Sequence, residues 1–199
     1  MRRQIYRLTI LLIAFLSLAG RAEAQEWRLI MALTVTNDGK RMEGATVELR
    51  KGGSVVKTFK TDSRGNVDVP LDPNGDYEIS ITGNGLINKK ISVSTKGVPP
   101  EDLSGDHYYE AEVDIFPKLE GLDYKVLDQP IGKLSYFPDD QAFDNDYDYT
   151  KQRQAALAKL QKDYLAQKAR EAELAEQKQK EYDAAIKAAD KAFNDEQWE

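Results

Sequence analysis

Three aspartates at alternate positions, Asp144, Asp146 and Asp148, come closest in this chain to a metal-binding pattern. Carboxylates at that spacing open an EF-hand calcium loop, which also needs glycine at its sixth position and a bidentate glutamate at its twelfth. Those positions hold Tyr149 and Ala155, so the oxygen donors lack both the sharp turn and the closing ligand. The triplet therefore reads as a solvated acidic turn. Ser104, Asp106 and His107 carry the residue types of a hydrolytic triad. A triad needs its members brought from distant parts of the chain, so that nucleophile, base and orienter can line up. Three near-adjacent residues do not give that geometry, and His107 reads as a surface loop residue. Glu43, Glu48 and Glu78 lie on separate strand segments, where outward-facing charge accounts for them. Trp27, Tyr108 and Phe137 could stack on sugar rings, although aromatic side chains more often bury their apolar bodies. No catalytic set, metal set or cofactor emerges from these residues.

The first residues have a different purpose. Arg2, Arg3 and Arg7 form a basic start, Leu8 to Leu18 is an apolar run, and Ala22-Glu23-Ala24 ends it with small residues. That is the layout of a secretory signal peptide over residues 1–24, with Gln25 as the expected mature N-terminus. The apolar run is shorter than the roughly 20 residues a membrane-spanning helix needs. No later stretch reaches that length, so no transmembrane span is expected after cleavage. The chain has no cysteine, which excludes both a lipid-modified cysteine and any disulfide. The hydrophobic core must hold the fold unaided. Cleavage would take the formal net charge from −6 to −9. An acidic chain without a basic stripe is poorly suited to nucleic acid, whose phosphates need clustered lysine and arginine.

From Trp27 the pattern becomes that of strands. Leu29, Met31, Leu33 and Val35 alternate; so do Ala45, Val47 and Leu49, and Val67, Val69 and Leu71. Tyr77, Ile79 and Ile81 follow, then Ile91 and Val93, and finally Tyr109, Ala111, Val113 and Ile115. Period-two alternation is the signature of half-buried strands. Asn37-Asp38-Gly39, Gly52-Gly53, Asp62-Ser63-Arg64-Gly65 and Asp72-Pro73-Asn74-Gly75 cut these runs with residues that favour turns. About seven antiparallel strands at this spacing predict a β sandwich over residues 25–117.

Several segments carry a family resemblance: Gly44-Ala45-Thr46-Val47-Glu48-Leu49, Thr61-Asp62-x-x-Gly65-x-Val67-x-Val69-Pro70, Tyr77-x-Ile79-x-Ile81-x-x-x-Gly85 and Lys90-Ile91-x-Val93. In that order they resemble the carboxypeptidase regulatory-like module, which has a transthyretin-like (prealbumin) sandwich. The resemblance covers residues 29–95. It implies that fold and a non-catalytic role in folding or contact. The zinc ligands of a carboxypeptidase belong to another domain, and with one histidine and no H-x-x-E pair this chain has no match for them.

Residues 118–149 read as neither strand nor helix. Leu119, Leu122, Tyr124, Val126, Leu127, Ile131 and Leu134 are too apolar for a free linker, so residues 118–137 read as a strap over the sandwich. Residues 136–149 then hold five aspartates, five aromatics and no basic residue. In layout this order of sandwich, acidic aromatic strap and charged helix resembles exported envelope proteins of Bacteroidota.

Residues 150–199 are rich in Ala, Gln, Lys and Glu, with no Pro or Gly from Lys151 onward, and predict a long helix. Asp148 or Thr150 is the expected cap. Glu176–Lys180 and Asp183–Lys187 are at i,i+4 in the favourable order. Leu157, Leu160 and Tyr164 follow heptad spacing, as do Tyr182, Ile186 and Phe193, but the two seams are out of register by a count of seven. These six are the expected partner contacts, whether the helix stays single or joins a coiled coil.

The sequence thus points to an exported, non-enzymatic accessory protein, periplasmic or associated with the outer membrane. An envelope protein, or a second copy meeting it through the helix, is the expected partner. A glycan or small ligand bound by the sandwich is the other ligand class. Nucleic acid is not expected as a partner.

Overall fold

The computed structural model describes residues 27–196. The signal-peptide reading of residues 1–24 lies outside them. Over the described residues the fold is a two-sheet sandwich of ten strands followed by one long helix.

Strand β1 (Leu29–Asn37) is the centre of the first sheet. It pairs antiparallel with β5 (Asn66–Leu71) and with the two-residue β2 (Lys40–Arg41), and parallel with β8 (His107–Asp114). The second sheet runs in the order β10 (Ala142–Asn145), β9 (Gly132–Phe137), β7 (Lys89–Ser94), β6 (Asp76–Thr82), β3 (Thr46–Lys51), β4 (Ser54–Lys60). The inward faces are those of the alternating pattern. Leu29, Met31, Leu33 and Val35 from β1 and Val69 and Leu71 from β5 are buried together with Val47, Ile79, Ile81 and Val93 from the other sheet.

The turns behave as their residues dictate. The Asp62 carboxylate accepts the backbone N–H groups of Arg64 and Asn66 at 2.9 and 2.8 Å. Gly65 has φ +76°, and a Cβ there would stand 2.6 Å from the carbonyl oxygen of Val35. The backbone N–H of Val35 donates to the Gly65 carbonyl at 2.7 Å, so this turn is clamped against the central strand. Only glycine combines that φ with that approach.

Two features differ from the sequence expectation. The pairing is mixed: β1 with β8 and β7 with β9 run parallel. Turn residues identify hairpins, whereas a parallel pair depends on a longer connection whose direction no local signal fixes. In addition, residues 118–149 are not strap alone. Their second half supplies β9 and β10, which extend the sheet next to β7. Leu134 and Tyr136 do alternate inward, but Pro130, Gly132 and Pro138 interrupt the pattern at both ends. The part before β9 does run across the sandwich end, with a 3-10 turn at Lys125–Asp128 and Leu127 buried beneath it.

Helix α1 (Tyr147–Glu196) follows β10 after one residue. Its cap is Asp146, whose carboxylate accepts the Tyr149 N–H at 2.9 Å and whose carbonyl accepts the Thr150 N–H at 3.0 Å. This corrects the expected cap, Asp148 or Thr150. Both lie inside the first turn, because the helix starts earlier than its alanine-rich composition suggests.

Candidate partner-binding helix

The first half of α1 is fastened to the sandwich by side chains along one stripe. Tyr149 donates to the Pro130 carbonyl at 2.7 Å and lies under Lys133, whose Nζ is 4.3 Å from the ring centroid. Arg153 donates to the Val126 carbonyl. Leu160 is buried within the core cluster, and Leu157 packs half-buried against it. Tyr164 is 1% exposed, and its ring meets that of Phe116 with centroids 4.1 Å apart. Gln167 donates to the Glu120 carbonyl at 2.6 Å.

The stripe ends on a turn of the first sheet. The Tyr164 hydroxyl donates to Asp38 Oδ1 at 2.9 Å, and Lys168 Nζ donates to Asp38 Oδ2 at 2.6 Å. Asp38 itself has φ 50°, the left-handed turn that its Asn37-Asp38-Gly39 setting favours. The hydrogen bond from Lys168 holds its carboxyl below the usual range, and the Tyr164 hydroxyl adds to this against an opposing effect of burial. Burial pushes the Tyr164 hydroxyl well up, and its bond to the Asp38 carboxylate adds to that. One carboxylate therefore joins the helix to a turn about 130 positions earlier in the chain.

Past Lys168 nothing of the sandwich covers the helix. Every residue from Lys168 to Asp195 is exposed. This arm is about 42 Å long at 1.5 Å per residue. It carries Tyr182 at 62%, Ile186 at 46% and Phe193 at 62% exposure, and Leu174 is exposed as well. Ion pairing along it is local: Lys180 Nζ lies 2.6 Å from Glu176, as expected, while Asp183 accepts Gln179 at 2.8 Å.

The six residues expected to contact a partner therefore divide. Leu160 and Tyr164 are spent on the chain's own core, which corrects their assignment, because a buried side chain has no surface left to offer; Leu157 packs half-buried against the same core and keeps part of its surface. Tyr182, Ile186 and Phe193 stand in solvent. The two groups also share one side of the helix. Tyr182 lies eighteen residues beyond Tyr164, which is about five turns at 3.6 residues per turn. The seams that clash by a count of seven thus align on a straight helix. Leu174 belongs to the same side, fourteen residues beyond Leu160, where both a count of seven and the 3.6-residue period place it. Phe116 and Asp38 had no sequence signal for this role, since their contacts to the helix are remote in the chain.

Several of the other candidate residues have structural partners. Asp144 accepts the Tyr147 hydroxyl at 3.2 Å and Asp146 caps the helix; among the described residues no acidic, His or Cys group is arranged to hold a metal ion. Asp106 accepts the Arg28 N–H at 2.8 Å. His107 is not a loop residue but the first residue of β8, half-buried among Trp27, Tyr136 and Phe143, with ring centroids 5.4 to 5.8 Å from its own. Its Nε2 lies 3.0 Å from the Asp102 carbonyl oxygen. The Tyr136 hydroxyl donates to the Asp102 carboxylate, and burial together with that bond pushes its pKa up to about 12. Glu48 pairs with Arg50 at 2.7 Å. Trp27 is 4% exposed, so of the aromatics considered for sugar stacking only Tyr108 stands fully in solvent.

No family model matches the chain, and no curated protein matches it in sequence. Its sandwich is similar to parts of solved structures. The Bacillus anthracis TIE protein matches at 18% identity and TM-score 0.37, covering 46% of this chain and 17% of that one. Klebsiella pneumoniae 5-hydroxyisourate hydrolase matches at 16% identity and TM-score 0.33, covering 46% and 92%. A DUF3823 family protein from Parabacteroides merdae matches at 15% identity and TM-score 0.33, covering 47% and 48%. At such values the likeness is confined to strand arrangement over about half the chain. That one of these proteins is an enzyme does not establish catalysis here.

Proposed function

We propose that this chain is a non-catalytic, exported accessory protein of a cell envelope. The sandwich is its structural or docking module, of the carboxypeptidase regulatory-like kind. The distal half of α1 is its assembly arm. The observation that carries this reading is the change of environment along one helix face. The same stripe is docked up to Lys168 and bare beyond it, yet it continues to present large apolar side chains. Exposed aromatic and branched residues aligned at helical spacing suit a groove or a second helix. The basic, apolar and small-residue order of residues 1–24 supports export. The structural partners of Asp106, His107, Asp144, Asp146 and Glu48 support the non-catalytic reading.

The test is affinity capture from an envelope extract, comparing the intact chain with one ending at Lys168. Loss of specific co-purifying protein in the shorter chain is the expected result. Identical profiles would remove the arm as the interaction element. The sandwich-ligand reading rests on Tyr108, and calorimetry with envelope glycans before and after Tyr108→Ala tests it.

A further inference from the structure

We infer that the arm's partner is a second copy of this chain, joined as an antiparallel pair of helices over residues 171–196. The inference rests on the assembly-arm reading and names its occupant. Taking about 100° per residue, Leu174, Lys178, Tyr182, Ala185, Ile186, Ala189 and Phe193 fall within one side of the arm. This order is self-complementary about a point between Asp183 and Ala184. Laid against a reversed copy, Leu174 meets Phe193, Tyr182 meets Ala185 and Ile186, and Lys178 meets Ala189 and Asp190. An isologous contact of this kind makes each pairing twice.

Charge selects the direction. A parallel pair in register would set Lys178 on Lys178 and Glu171 on Glu171 within the seam, and like charges there are unfavourable. The antiparallel pair instead brings Lys178 toward Asp190 of the second copy and leaves like charge in the seam only at its two ends, where Glu171 meets Glu196. It also brings Arg170 toward Asp195, and both of these lie on the same flank of the stripe. Each opposite-charge pair then occurs twice. The fit to the fold is a further argument. The register that matches the apolar residues takes the tip of one helix to residue 171 of the other, just past Lys168, where the sandwich contact ends. The overlap uses the bare arm beyond Lys168 and sets the two sandwiches at opposite ends of the pair.

The chain has no cysteine, so single cysteines report the geometry cleanly. The experiment uses the purified full chain in sedimentation equilibrium across micromolar concentrations, together with oxidative cross-linking. A dimer is expected, and Tyr182→Glu combined with Ile186→Glu should return a monomer whose sandwich melts unchanged. Lys178→Cys alone should give no cross-linked dimer, whereas a mixture of Lys178→Cys and Ala189→Cys chains should give one. Cross-linking of Lys178→Cys with itself would overturn the antiparallel geometry. A chain that stays monomeric at 100 μM (about the upper end of such a series) would overturn the self-association itself. If that monomer still loses a captured envelope protein on truncation at Lys168, the assembly-arm reading stands and only the second copy is refuted.

Discussion

Replacing Tyr164 should release the first half of the helix from the sandwich. The side chain is 1% exposed, with its ring 4.1 Å from that of Phe116 and its hydroxyl 2.9 Å from Asp38. Removing a buried aromatic ring to alanine costs about 3–5 kcal/mol, from lost transfer energy and the cavity left behind. Tyr164→Phe keeps the ring and removes one hydrogen bond to a charged acceptor, worth about 1.5–3 kcal/mol. The lower end applies, because Lys168 still neutralises Asp38 in that variant. The assay is urea unfolding of the intact chain, followed by tryptophan fluorescence and by far-ultraviolet circular dichroism. If the helix is integral to the core, Tyr164→Ala lowers the common midpoint by an amount equal to about 3 kcal/mol or more. If the helix detaches as a local unit, the circular dichroism transition separates from the fluorescence transition. A cost below about 1 kcal/mol with coincident transitions would refute the docking role of Tyr164.

Four further outcomes follow from the same contacts. Asp38 has its pKa depressed below the ordinary 3.8, mainly by the hydrogen bond from Lys168. Its contribution is therefore complete above that ordinary value and is lost as the pH falls through the lower folded value, so acid unfolding of Asp38→Asn should lack that pH dependence. Tyr136, raised to about 12, contributes stability that is complete below its ordinary value of 10.0 and fades as pH rises toward 12; Tyr136→Phe should remove that alkaline step in a stability titration. Gly65→Ala should cost at least about 1–2 kcal/mol in chemical unfolding, because a left-handed φ is strained for alanine and its Cβ would meet the Val35 carbonyl. Tyr182→Ala and Phe193→Ala should each change the unfolding midpoint of the sandwich by less than about 0.5 kcal/mol, since neither touches it.

The sandwich was largely legible in the sequence because its strands bury one face, and alternation such as Leu29, Met31, Leu33 and Val35 leaves little ambiguity. Turns were legible where side-chain chemistry acts locally, as in the Asp62 carboxylate accepting N–H groups two and four residues on. Strand direction was not legible, because β8 and β9 reach their parallel neighbours through long connections without a directional signal. His107 was misplaced for a related reason. Its neighbours Asp106 and Gly105 look like a loop, while the rings that enclose it come from residues 27, 136 and 143. The helix was recognised by composition, but its division was not. Leu160 and Ile186 look alike in sequence, and only the distant Phe116 and Asp38 decide that one region is docked and the other bare. Counting in sevens concealed their alignment, because an uncoiled helix repeats at 3.6 residues.

One continuous helix is docked on the sandwich up to Lys168 and bare beyond it. Amide hydrogen exchange along α1, measured on the protein at a dilution where it is monomeric, tests this most directly. Slow exchange is expected over residues 154–167, and exchange near that of an isolated helix over residues 172–194, because a solitary helix draws no stability from tertiary packing. Equal protection along both halves in the monomer, or equally fast exchange in both, would contradict it.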